Sequence, residues 1–205
     1  SKAYSTGWAE AEDVSWSPDS KYIAYSQEDL NFDSEIFIQS VENPNNKFNV
    51  SMHPRSDIAP VWSPDGKKLV FASNRSGNRG GIDYDIWMVW LKKEDWERSK
   101  TDRENGDYYV EKEADEVKDK NKEKDKKDKI KVGIDKERIF DRITRITKLP
   151  DDEYKGMFGP DSKYVYYSTT DPSTNKRCFF KVKLDGSNPK IIKETSKVER
   201  VADID

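Results

Sequence analysis

The chain has 205 residues, and 38% of them are charged, but acidic and basic residues nearly cancel to a net charge of −3 at pH 7. This length suits one domain of ordinary size, and the charge balance argues against nucleic acid or an anionic membrane surface as a partner. No apolar run approaches the roughly 20 residues of a membrane-spanning helix.

The chain contains one cysteine, Cys178, and one histidine, His53. An intrachain disulfide is therefore excluded, and no His/Cys cluster exists that could bind zinc. Cys178 lies within an apolar run, which indicates a buried, unreactive thiol. We expect neither a metal site nor a cofactor.

A short turn motif occurs three times, as WSPDS at 16–20, WSPDG at 62–66 and FGPDS at 158–162. Proline presets the φ angle that the first central position of a type I turn requires, and the last residue closes the hairpin in the left-handed region. Gly66 does so freely, whereas Ser20 and Ser162 adopt positive φ at a cost on the order of 1 kcal/mol. Proline and aspartate therefore set the geometry of the turn.

Each turn is followed by an apolar strand, a polar loop, a third strand and a short fourth strand. These strands are predicted at 21–26, 35–39 and 47–51, then at 67–73, 85–91 and 142–147, and finally at 163–168, 177–182 and 190–193. Four short strands per 40 to 46 residues are typical of a β-propeller blade. The second strands are apolar on both faces, as expected for blades that pack face to face.

The fold class is therefore all-β, a partial β-propeller of about three four-stranded blades plus the first strand of a fourth. We place the blades at about 12–51, 57–148 and 154–194, and the next strand from 198. Propellers need at least four blades to close a ring. We expect open blade faces, covered by solvent, by another copy or by further blades, and a chain that is a piece of something longer.

A charged insertion at 92–141 separates the third and fourth strands of the second blade, because Trp62 and Phe158 are 96 residues apart against 46 for Trp16 and Trp62. Residues 92–105 can form a helix capped by Gly106. Residues 111–131 include nine basic and eight acidic residues, which predicts disorder or a solvated helix. The segment is either a tolerated surface insertion or a docking arm for a partner.

The three turns, with strands such as KKLVFAS at 67–73 and DIWMV at 85–89, resemble the repeats of TolB-like propellers. The same repeats build the propellers of tricorn-type proteases and, less closely, of prolyl oligopeptidases. The stretches 49–57, 84–96 and 134–147 resemble bacterial tricorn-like peptidases, in which a charged insertion interrupts an N-terminal propeller. A PDZ domain and a tail-specific serine peptidase domain follow in those relatives.

The resemblance implies a non-catalytic propeller segment that binds or guides peptide or protein substrates and supports assembly. Its partners would be further blades, the peptidase domain and a second copy in a homo-oligomer, and the parent would be a periplasmic or secreted serine peptidase. Two alternatives remain: a TolB-like periplasmic scaffold for protein interactions, and the propeller of a prolyl-oligopeptidase-like peptidase.

No residue of this chain is expected to be catalytic. His53 is the obvious candidate general base, but no Gly-x-Ser-x-Gly elbow occurs, and a histidine that hydrogen-bonds its own loop is the simpler interpretation. Propeller geometry places the loops before first strands and the loops between second and third strands on one face. That face collects His53, Arg55 and Asp57 from one loop, and Asn74, Arg75, Asn78, Arg79 and Asp83 from the other.

Paired arginines on this face predict a site for a peptide carboxylate or an acidic side chain, because a guanidinium binds a carboxylate through two parallel hydrogen bonds. The candidate substrate-binding residues are His53, Arg55, Asp57, Arg75, Arg79 and Asp83. The alternative is ordinary solvation of the loops, with salt bridges between them.

Overall fold

The computed structural model describes residues 11–28, 32–76, 83–104 and 130–194, with the backbone alone for residues 11 and 100–104. The fourth-blade strand predicted from 198 lies outside the described residues. Within them, no helix is long and apolar enough to cross a membrane.

In the described part of the chain, twelve strands form three four-stranded antiparallel sheets, which confirms the all-β fold class and the partial propeller. Each sheet runs in chain order from its first to its fourth strand. The first sheet contains β1 (Ala11–Trp16), β2 (Tyr22–Glu28), β3 (Ser34–Ser40) and β4 (Lys47–Asn49). The second contains β5 (Asp57–Trp62), β6 (Lys68–Ser73), β7 (Asp85–Trp90) and β8 (Ile143–Arg145). The third contains β9 (Tyr154–Phe158), β10 (Tyr164–Asp171), β11 (Lys176–Lys183) and β12 (Lys190–Glu194). The first and last residues predicted above for each blade and for the insertion remain predictions.

The three repeated turns close on a left-handed residue, as the sequence predicts. The φ angle is 58° at Ser20, 70° at Gly66 and 57° at Ser162. In the first turn the Asp19 carboxylate accepts the backbone N–H of Lys21 at 3.1 Å, and the aspartates of the other two turns accept the equivalent N–H at 3.0 Å. The aspartate therefore holds the turn whether serine or glycine closes it.

The first strand of every sheet also carries a β-bulge, which the sequence did not indicate. Asp13, Ala59 and Lys155 each lie three residues before the aromatic residue of the turn and have φ between 51° and 55°. The strand register shifts at the same place in all three sheets. A bulge adds one residue to one strand and increases the local twist.

The sheets stack face to face through two apolar clusters. The first junction, between the first and second sheets, buries residues that include Ala24, Ile36, Ile38, Leu69, Phe71 and Val89. The second junction, between the second and third sheets, buries residues that include Val70, Met88, Val165, Tyr167, Phe180 and Val182. Strand β6 contributes to both and is buried along its whole length, as predicted for a second strand, whereas β10 alternates between buried and half-buried residues.

Both ends of the charged insertion pack against the sheets. The predicted helix is present as α1 (Lys93–Glu104), and Trp96 on its first turns packs against the second-junction cluster. After the undescribed residues 105–129, Val132 and Ile139 enter the first-junction cluster. Asp19 accepts the backbone N–H of Val132 at 2.9 Å. The insertion is thus attached at both junctions.

Arg142, in the short 3₁₀ helix before β8, fixes the second end of the insertion. Its guanidinium is almost fully buried, with the residue 4% exposed. It donates to the carbonyl oxygens of Trp90 at 2.9 Å and of Leu91 and Glu137 at 3.2 Å, and also to that of Asp135. One side chain therefore joins the end of β7 to the segment that returns to the sheet.

We predict that Arg142→Met lowers the free energy of unfolding by at least about 3 kcal/mol, because it leaves several carbonyl oxygens without a donor. Urea denaturation measures the effect. Arg138→Met is the matched control, since the Arg138 side chain is 72% exposed and pairs with Asp141 at the surface, and its expected change is within about 0.5 kcal/mol. Equal effects of the two substitutions would contradict this role of Arg142.

Candidate functional site

Three loops meet at one end of the first junction, and we call residues 32–34, 51–57 and 74–76 the loop face. The backbone N–H of Asn74 donates to the carbonyl oxygen of Ser56 at 3.3 Å. The backbone N–H of Ser34 donates to the Ser56 hydroxyl at 3.3 Å. The loops before β5 and after β6 therefore lie side by side, as propeller geometry requires.

Asp57 and Arg75 form a buried ion pair within the loop face. Arg75 Nη2 donates to Asp57 Oδ2 at 2.8 Å, and the two side chains are 10% and 0% exposed. The guanidinium also lies over the rings of Phe71 and Trp87, at 5.4 and 5.1 Å from their centroids. Burial raises the pKa of Asp57, and the charge of Arg75 opposes this shift. Arg75 is thus committed to the protein's own carboxylate.

His53 is half-buried next to this pair. Its backbone N–H donates to Glu35 Oε1 at 3.0 Å, and the Ser51 hydroxyl donates to Glu35 Oε2. Burial lowers the pKa of His53, and the positive charge of Arg75 adds to the effect. The imidazole is therefore neutral at pH 7.

Glu35 was not among the candidates from the sequence, although a signal for it exists. An acidic residue lies directly before isoleucine at the start of the third strand in two blades: Glu35 is the second residue of β3, and Asp85 is the first residue of β7. Glu35 is buried, at 8% exposed. Burial raises its pKa, and the nearby negative charge of Asp57 contributes to the shift.

Three buried polar atoms of the loop face lack a hydrogen-bond partner. They are His53 Nδ1, Asp57 Oδ1 and Asn74 Oδ1, and they are three of the five such side-chain atoms in the described part of the chain. Asn74 is 8% exposed and Asp57 fully buried. An unpaired buried acceptor costs on the order of 1–3 kcal/mol, so their concentration in one place distinguishes the loop face from the rest of the molecule.

The other predicted site residues are less tightly grouped. Arg55 is half-buried in the same loop as His53, and Asp83 is exposed two residues before β7 begins. Arg79, like Asn78, lies outside the described residues. The structure therefore brings together His53, Asp57 and Arg75, with Asn74 beside them.

Two exposed apolar side chains belong to the loop face and were also missed from the sequence. Met52 is 59% exposed and Phe32 is 71% exposed. Met52 has a φ angle of 43°, a strained value for a residue with a long side chain. Single apolar residues in polar loops carry no periodic signal, so only the fold shows that these two occupy one face.

The second junction also has a buried carboxyl group, and each of its two oxygens accepts a hydrogen bond. Glu153 is fully buried, accepts the Thr147 hydroxyl and accepts the backbone N–H of Leu149 at 2.9 Å. Burial and the neighbouring Asp85 raise the pKa of Glu153 to about 8. Asp85 in turn accepts Arg145 Nη2 at 2.7 Å. Glu153 is thus largely protonated at neutral pH.

The raised pKa of Glu153 predicts that the stability of the fold depends on pH. Between about pH 4.5 and about pH 8 the folded chain holds a proton on Glu153 that the unfolded chain has lost. The free energy of unfolding should therefore fall as pH rises through this window, and the contribution should level off above it. Glu153→Gln keeps a neutral side chain that can donate to Asp85 and should remove this part of the fall.

Thermal or urea denaturation at intervals from pH 5.5 to pH 9.5 measures the difference between the two chains. We expect nearly equal stabilities at pH 5.5 and a more stable variant at pH 9.5. Because Asp57 and Glu35 also have raised pKa values, both chains keep some slope. Parallel curves for the two chains would refute the assignment to Glu153.

Comparison with known proteins gives structural matches only. No protein-family model matches the sequence, and no curated protein matches it. Among solved structures, TolB from Agrobacterium tumefaciens aligns with a TM-score of 0.57 at 15% identity, over 93% of this chain and 51% of that one. The tricorn protease aligns with a TM-score of 0.57 at 14% identity, over 89% of this chain and 18% of that one.

A third match shows how widely the fold is used. Hydrazine synthase from Kuenenia stuttgartiensis aligns with a TM-score of 0.59 at 11% identity, over 92% of this chain and 26% of that one. At such identities the matches establish the fold and leave the activity open. The chain spans about half the length of the TolB structure and smaller shares of the other two. Its fold is a partial β-propeller that resembles TolB and tricorn-type β-propellers.

Proposed function

We propose that this chain is a non-catalytic propeller segment that binds or guides peptide or protein substrates of a tricorn-like serine peptidase. The observation that carries the proposal is the loop face of the first junction. There, buried polar atoms without partners lie among loops that also expose Met52 and Phe32. Peptide sites combine apolar contact area with a few placed polar groups in this way.

The predicted role of Arg75 as a donor to the ligand is replaced in this proposal. Arg75 is paired with Asp57 and stacked on two rings, so it supports the loops and does not offer its fork to a ligand. Arg55 remains the charged donor of the loop. Peptide contact would then rest on Met52, Phe32 and the backbone of the segment 51–56.

A second candidate is a TolB-like scaffold that binds envelope proteins. The two TM-scores of 0.57, with TolB and with the tricorn protease, favour neither one over the other. Both candidates place the chain in the periplasm or outside the cell, and both use the loop face for protein contact. They differ in whether a peptidase domain belongs to the parent chain.

The open face of the first sheet supports a role in assembly. Trp16 is 57% exposed and Val14 is 53% exposed, whereas the equivalents of Trp16 in the next two sheets, Trp62 and Phe158, are 6% and 8% exposed. Trp62 Nε1 donates to the carbonyl oxygen of Ser15 in the preceding sheet at 3.1 Å. A further sheet, or a second copy of the chain, would cover Trp16 in the same way.

We expect the chain to bind fluorescein-labelled decapeptides of mixed sequence without hydrolysing them. Met52→Ser should weaken binding at least fivefold in fluorescence anisotropy, because it removes apolar contact area from the loop face. Ile192→Ser is the control, since Ile192 is an exposed apolar residue of β12, at 45% exposed. Equal loss in both variants, no binding at all, or robust hydrolysis would each contradict the proposal.

We further expect Trp16→Ser to reduce self-association and the binding of a hydrophobic dye, because it removes the largest aromatic surface of the open sheet face. Light scattering over a range of protein concentrations measures the first quantity. An unsubstituted chain that stays monomeric and binds no dye would contradict a role for this face in assembly.

A further inference from the structure

Both sheet junctions have a carboxyl group at the same position of the repeat, but the hydrogen bonds of this group differ between the two junctions. Asp57 and Glu153 each lie five residues before the aromatic residue of the repeated turn. Both oxygens of Glu153 accept hydrogen bonds. At Asp57, Oδ2 accepts from Arg75 and Oδ1 has no partner. The second junction, where the carboxyl group is fully hydrogen-bonded, can therefore be compared directly with the first, where it is not.

The hydrogen bonds of the two carboxyl groups differ because the equivalent hydroxyl group donates to a different acceptor at each junction. Ser51 and Thr147 are equivalent, because each hydroxyl accepts the N–H of the isoleucine that follows the third-strand acid, at 2.9 and 2.8 Å. The Thr147 hydroxyl donates across the junction to Glu153. The Ser51 hydroxyl donates within its own sheet to Glu35. The hydroxyls of Ser51 and Ser73 also lie near enough to Asp57 to lower its pKa, but Asp57 Oδ1 makes no hydrogen bond of its own.

The unsatisfied atoms at the first junction can all act as acceptors. Asp57 Oδ1 and Asn74 Oδ1 are oxygen atoms without donors. A neutral imidazole can present Nδ1 as an acceptor, and the positive charge of Arg75 helps to keep His53 neutral. A carboxylate would bring further acceptors to this place, whereas an ammonium group supplies three donors and no acceptor.

The charge balance agrees with a cationic ligand. Asp33, Glu35 and Asp57 lie around the loop face, and Arg55 and Arg75 oppose them. Among the described residues, three acidic side chains face two basic ones here, which favours a cationic ligand over a carboxylate.

We propose that the loop face binds a primary ammonium group, carried by a peptide amino terminus or by a lysine side chain, at His53, Asp57 and Asn74. This inference rests on the proposed peptide-binding function and specifies its chemistry. The three acceptor atoms are buried, so the ammonium group reaches them when the segment 51–56 shifts. Met52 lies in that segment and would contact the adjoining apolar side chain of the ligand.

The single histidine allows a direct test, because His53 gives the only imidazole signals of the chain. The ¹⁵N-labelled chain is titrated at pH 7 with leucyl-alanyl-alanine amide, which has a free amine and no carboxylate. We expect a saturable shift of the His53 Nδ1 resonance. The Nα-acetylated amide should bind at least tenfold more weakly, and Nα-acetyl-lysine amide tests the side-chain source of the same group.

Asn74→Ala should weaken the amine peptide at least fivefold without lowering the unfolding midpoint, since the lost Oδ1 has no partner in the folded chain. Thr170→Ala, at the equivalent position of the third sheet, is the matched control and should bind normally.

Acetyl-leucyl-alanyl-alanine, which has a free carboxylate and no free amine, distinguishes the ammonium site from peptide binding at the loop face in general. If it binds as well as the amine peptide, or better, the ammonium assignment is wrong and peptide binding at this face stands. If no probe shifts His53, and the labelled decapeptides also fail to bind, both proposals fall. If the decapeptides bind while no probe shifts His53, only the ammonium site is overturned.

Discussion

Face-to-face packing of sheets is the constraint on which this structure depends. The second sheet is covered on both sides, and its central strand β6 is buried from Lys68 to Ser73. Burying apolar area contributes roughly 25 cal/mol per Å², and two stacked junctions supply most of that area here. The contacts between loops of neighbouring sheets follow from this stacking.

Stacking also decides what happens at the ends of the strands. Loops from neighbouring sheets are forced together, and buried carboxyl groups hold them. At the second junction Glu153 shares its surroundings with Asp85 and has hydrogen bonds to both oxygens. At the first junction the shorter Asp57 pairs with Arg75 and leaves acceptors unsatisfied. A difference of one methylene group, with a hydroxyl turned to another acceptor, separates a structural contact from a candidate binding site.

The charged insertion is part of the fold at both of its ends. Trp96 joins the second junction and Val132 joins the first, while Arg142 connects the returning segment to β7. A segment that departs from the sheets between β7 and β8 thus contributes to the packing of all three. Its described ends are anchored to the sheets.

The sequence by itself determined the strands of three sheets, the three turns and the helix after Leu91. These are local features: proline and aspartate set a turn, and apolar residues on both faces of a short strand set its burial. It also grouped His53, Asp57 and Arg75 on one face, because propeller topology dictates which loops are neighbours.

Only the tertiary structure decided how those residues are used. The bulges at Asp13, Ala59 and Lys155 arise without glycine, so no residue type announces them. Two contacts show this: Arg75 binds Asp57, and Ser51 donates to Glu35. Both depend on distances of a few ångströms between residues far apart in the chain. Hydrogen bonds and charges act at that range, and sequence spacing does not specify it.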